Sequence, residues 1–109
     1  MKLVIIPHKS EKYSVEETLE KSAIEYDNLL YIFDKWISLS FVDMRRLARK
    51  KLRNEVDWEK VDEVYLVGAG YIPAVLSVWE VMKEFADGKR LWLLDYDTKL
   101  KVYRCREVF

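Results

Sequence analysis

The stretch Val64-Tyr-Leu-Val-Gly-Ala-Gly-Tyr-Ile-Pro-Ala-Val-Leu-Ser-Val-Trp-Glu-Val-Met82 decides the fold. Its first four residues, Val64–Val67, are a continuous apolar run, the mark of a strand buried on both faces in a parallel sheet. Gly68-Ala69-Gly70-Tyr71-Ile72 is then a connection, and Pro73 stands at the first helical position, where its missing N–H costs nothing. The helix predicted over Pro73–Ala86 is apolar nearly all round. Only Ser77, Glu80, Lys83 and Glu84 form a polar stripe, so the helix must bury itself against a sheet or a partner. Gly88 supplies the stop.

The same alternation extends outward. Leu3–Ile6 is a second doubly buried strand, ending at Pro7, and His8–Tyr13 reads as a polar loop. Ser14-Val-Glu-Glu17 is a capping box, with Val15, Leu19, Ala23 and Tyr26 spaced along one helical face. Leu29–Phe33 is a strand, with Trp36 and Ile37 expected to pack beneath a loop. Ser40 caps a helix over Phe41–Arg53. Asp57–Lys60 reads as a turn with helical character, Leu91–Leu94 as the fourth strand and Asp95–Lys99 as a turn. Leu100–Val108 is predicted to close an antiparallel hairpin. The order β-α-β-α-β-α-β-β predicts an α/β fold, a three-layer Rossmann-like sandwich with a mostly parallel sheet.

The 109 residues make one domain, 1–109. Nineteen basic residues balance nineteen acidic ones, so net charge points to neither a long nucleic acid nor a membrane as partner. The run Leu3–Ile6 is too short for a signal peptide, and no run approaches the ~20 apolar residues that span a bilayer. With one cysteine, Cys105, no internal disulfide can form, and a reduced cytoplasmic setting is expected. The chain lacks Gln and has only Asn28 and Asn54 beside many charges, a thermophile-like balance.

In a doubly wound sheet, ligands bind beyond the carboxyl ends of the strands, where the winding reverses. If the first and third strands are neighbours there, the loops Pro7–Tyr13 and Gly68–Ile72 meet. Gly68 and Gly70 allow close backbone approach, with Ala69 between them, and the following helix offers N–H groups to a phosphate. The motif is not the dinucleotide fingerprint, since the third glycine is absent, and a tight turn explains it equally. The facing loop carries His8, Lys9, Ser10, Lys12 and Tyr13. His8 is the lone histidine, and lone histidines are commonly structural; Lys9 and Lys12 suit phosphates as point charges but are also ordinary surface lysines. Tyr71 could stack on a base or cover the helix start. Arg45, Arg46, Arg49, Lys50 and Arg53 share one side of the second helix, either an anion-binding face or a solvated one. Nothing calls for a cofactor, and one His with one Cys cannot build a zinc site.

The chain resembles the small stand-alone CRISPR-associated Rossmann-fold (CARF-related) proteins of antiviral defence, some of which are ring nucleases. The likeness rests on Ile6-Pro7-His8-Lys9-Ser10 after the first strand and Phe33-Asp34-Lys35-Trp36 after the second. It rests also on Gly68-Ala69-Gly70 after the third and Tyr103-Arg104-Cys105-Arg106 in the closing hairpin. The resemblance implies a homodimer that binds a cyclic oligoadenylate, such as cyclic tetra-adenylate, across its two-fold axis. Its implied chemistry is metal-independent: a ribose 2′-hydroxyl attacks the adjacent phosphorus and leaves a 2′,3′-cyclic phosphate. His8 would act as general acid or base, and Lys9 and Ser10 would hold the scissile phosphate. Two other expectations stand beside it: a sensing or sequestering module of the same fold that does not cleave, and an interaction subunit with no small-molecule ligand.

Overall fold

The computed structural model describes residues 1–9, 13–33 and 39–108. Ser10 and Lys12, and Trp36 and Ile37, lie outside the described residues. The elements are β1 (Lys2–His8), α1 (Val15–Lys21), β2 (Asn28–Phe33), α2 (Phe41–Glu55), a 3₁₀ turn (Trp58–Lys60), β3 (Glu63–Val67), α3 (Ile72–Phe85), β4 (Arg90–Asp97) and β5 (Val102–Glu107). They form an α/β fold around one five-stranded mixed sheet in the order β2-β1-β3-β4-β5. The pairs β1–β2, β1–β3 and β3–β4 are parallel, and β4–β5 is antiparallel.

Strand alternation sorts the core into two clusters, one on each face. Leu3, Ile5, Val64, Leu66 and Leu91 meet Met44, Ala48 and Leu52 of α2 and Ala74, Val78, Val81 and Met82 of α3. Val4, Ile6, Val67 and Leu94 point the other way and meet Val15 and Leu19 of α1. Fully burying an aliphatic side chain contributes roughly 1.5–3 kcal/mol, so the larger cluster under α2 and α3 dominates stability. The near-apolar α3 is held between α2 and the sheet, which answers the demand its sequence makes.

Three local expectations change. First, α1 stops at Lys21, and Ala23 is not on its face but past its end at φ 57. The Ile24 N–H donates to the Leu19 carbonyl and the Ala23 N–H to the Glu20 carbonyl, a left-handed cap with alanine where glycine is usual. Second, His8 belongs to β1, paired with Phe33, and is not a loop residue. Third, Asp95 and Asp97 are strand residues. The turn falls at residues 98–101, where the Asp97 carboxylate accepts from the Lys99 and Leu100 N–H groups. Pairing continues through Tyr96↔Tyr103 to Asp97↔Val102, so β4 runs past Leu94 to Asp97.

Candidate functional site

β1 turns one way to β2 and the chain returns on its other side to β3, so winding reverses between β1 and β3. Their ladder runs from Lys2↔Glu63 to Ile5↔Leu66 and then stops. Pro7 accounts for the stop. The Met1 carbonyl accepts from the Asp62 N–H, so odd residues of β1 turn their backbone groups toward β3. Pro7 falls where the next donor to β3 would stand, and proline has none. β3 meanwhile stays with β4 one residue further, through Gly68 N–H to the Leu94 carbonyl at 2.9 Å. The sheet therefore opens between β1 and β3.

The two glycines at this opening serve different ends. A Cβ on Gly68 would lie 2.8 Å from Leu93 Cδ1 and 3.5 Å from the Leu94 carbonyl oxygen, so Gly68 is a packing glycine over β4. Gly70 has φ +108, which side chains rarely adopt, and a Cβ there would face the His8 carbonyl oxygen at 3.8 Å. The Gly68–Gly70 turn thus passes beside the end of β1.

The remaining candidates divide. His8 is half-buried at the end of β1, with Nε2 shielded from solvent, and Lys9 is exposed. Ala69 packs at the margin of the α1 cluster. Tyr71 packs against the opposite cluster, and its carbonyl accepts from the Ala74 and Val75 N–H groups as α3 begins. The first helical residue is Ile72, with Pro73 second, so the helix start lacks one donor as its sequence indicated. Tyr13 and Tyr71 therefore flank the opening from opposite faces of the sheet.

Tyr13 is engaged in an aromatic cluster that sequence reasoning missed. Its ring stacks on Tyr96, meets Tyr103 edge-on at 6.2 Å, and its hydroxyl accepts from the Tyr103 hydroxyl at 3.3 Å. Burial raises the phenol pKa of both Tyr13 and Tyr103 above the usual value. Nothing local in sequence joins Tyr13 to Tyr103; the signal was their common place at the carboxyl edge of the sheet. Beside them, Asp95–Lys99 and Arg104 line an open hollow of about 330 Å³. The N–H of Leu100 and the Arg104 guanidinium hold the Asp97 carboxyl below its usual range.

The basic run on α2 is partly consumed by the fold. Arg49 makes two hydrogen bonds to Glu84 on α3, at 2.8 and 2.9 Å. Arg46 pairs with Asp43 at 3.6 Å, and Lys51 Nζ donates to the carbonyls of Tyr31 and Ile32 on β2. Cys105 is exposed. Among the described residues, no three His, Cys, Asp or Glu side chains form a group that could hold a metal ion, and no helix is long and apolar enough to cross a membrane.

No family model, curated protein or solved structure matches this chain.

Proposed function

We propose that the chain is a Rossmann-like three-layer sandwich that binds a nucleotide ligand in the β1/β3 crevice, and that the ligand is a cyclic oligoadenylate. The observation that carries this reading is the meeting of Gly70 with the His8 carbonyl at the one point where winding reverses. Crevices at such points are the ligand sites of open α/β sheets. The ring size and the CRISPR-associated setting come from the resemblance carried by Ile6–Ser10, Phe33–Trp36, Gly68–Gly70 and Tyr103–Arg106.

In the enzymatic form of the proposal the protein is a metal-independent ring nuclease. The 2′-oxygen bonds to phosphorus, the bond to the departing 5′-oxygen breaks, and the 2′-hydroxyl proton passes to a base while an acid protonates the 5′-oxygen. Lys9 and Ser10 would hold the phosphate, and the Gly68–Gly70 backbone would sit under it. A homodimer is part of the reading. Ile72, Leu76, Phe41 and Val42 stand 59%, 50%, 45% and 55% exposed on the first turns of α3 and α2, an apolar surface suited to a second copy.

The shielded Nε2 of His8 favours a second reading, a module that binds the ligand without cleaving it. One experiment tests both: thermal melting with cyclic tri-, tetra- and hexa-adenylate, followed by chromatography of the ligand. A rise of several degrees with 2′,3′-cyclic phosphate products supports the nuclease. The same rise with intact ligand supports the sensor, and a flat response to every ring sinks both.

A further inference from the structure

The two edges of the sheet are built differently. On β2, the Lys51 ammonium occupies the Tyr31 and Ile32 carbonyls. On β5, a side chain meets the outward backbone at one end only. The Val108 N–H donates to the Leu91 carbonyl, so the alternating ladder ties residues 102, 104, 106 and 108 to β4. The backbone groups of Tyr103, Cys105 and Glu107 then point away from the sheet. The Tyr103 N–H is taken by Ser22 Oγ at 2.7 Å. Among the described residues, the outward N–H and C=O groups of Cys105 and Glu107 have no partner. An edge of this kind is a template for a further strand.

We infer that the open edge of β5 takes an extended acidic segment of another protein by strand addition. Charge selects the occupant. Arg104 and Arg106 share one face of β5 and are 58% and 59% exposed in their side chains. They lean back on Asp97 and Asp95, at 2.6 and 3.5 Å, and their outer sides remain open. A segment paired at Cys105 sets its two flanking residues beside these arginines, so carboxylates spaced two apart fit. A second β5 does not fit. Antiparallel pairing centred on Cys105 would set Arg104 against Arg106 of the other copy, two like-charge contacts on one face.

The test uses two capped peptides, Thr-Val-Asp-Thr-Asp-Val-Thr and the same peptide with Lys for both Asp, titrated into isotopically labelled protein. Amide exchange at Cys105 and Glu107 is expected to slow, while Arg104 and Arg106, already bonded to β4, stay as they were. The Lys peptide is expected to bind about five- to tenfold more weakly, the size of two exposed ion pairs. The double variant R104E/R106E is expected to invert that preference. Cys105→Pro removes an outward N–H but no bond to β4, and is expected to reduce peptide-induced protection at Glu107 and weaken both peptides. Protection absent from Cys105 and Glu107, or equal binding of the two peptides to the wild type, overturns the inference. Should Cys105→Pro unfold, the charge inversion in R104E/R106E decides alone.

Discussion

The ring of Tyr13 lies flat on that of Tyr96, with centroids 4.4 Å apart and planes within 7°. Tyr13 stands just before the Ser14 cap of α1, and Tyr96 is near the end of β4, so the stack ties the segment entering α1 to the hairpin. Tyr96→Ala is expected to cost about 1–2 kcal/mol, because a stacked and an edge-on aromatic contact are both lost. Denaturant titration reads the loss, and a cost near zero would show that the stack does not anchor this segment.

The same cluster sets an alkaline limit. Tyr13 and Tyr103 have pKa values raised by burial from 10.0, so the folded state favours the neutral phenols. Their contribution is complete below pH 10 and is lost as pH rises through the elevated values. Melting temperature is expected to fall above pH 10, and Tyr103→Phe to flatten that fall, as scans with pH would record.

The acid limit has the opposite sign. The Leu100 N–H, first, and then Arg104 and the Lys99 N–H depress Asp97, so its contribution is present above the ordinary carboxylate range and disappears as pH drops through the lowered value. Asp97→Asn is expected to lower stability at pH 7 and to narrow the gap with the wild type toward pH 2. Parallel melting curves at the two pH values check this.

The glycines at the crevice should separate by cause. Gly70→Ala places a side chain at φ +108 and is expected to cost about 1–2 kcal/mol through backbone strain. Gly68→Ala meets the far end of the Leu93 side chain, which can swing, so its cost is expected to be smaller and to be relieved by Leu93→Ala. A double-mutant cycle measures that relief. Ala23→Gly, at the left-handed cap, is expected to gain about 0.5–1 kcal/mol.

What could be read in advance follows from what is local. The runs Leu3–Ile6, Leu29–Phe33 and Val64–Val67 declared strands because each is apolar on both faces, and Ser14 and Ser40 declared helix starts through side chains that accept from Glu17 and Asp43 N–H groups. The end of α1 gave no sign, because Ala23 carries no signal for a left-handed turn. The length of the hairpin was hidden because Asp95 and Asp97 look like turn residues until their partners Arg106 and Arg104 are known. At the crevice, the adjacency of the first and third strands was a condition that alternation alone does not fix and that the strand order meets, whereas the tyrosine cluster depended on pairing across 90 residues.

Lys51 has a consequence for solution behaviour. Its Nζ lies 2.7 and 3.2 Å from the Tyr31 and Ile32 carbonyls, and because odd residues of β2 face β1, the Ile32 carbonyl is the one it withdraws from an incoming chain. A sheet with two receptive margins propagates, each added strand exposing another. With the Ile32 carbonyl taken, a strand added along β2 gives up a ladder bond there, so addition along β5 is the favoured one. Lys51→Met is expected to free the Ile32 carbonyl and to make the protein assemble more readily than the wild type, which light scattering during mild heating would register.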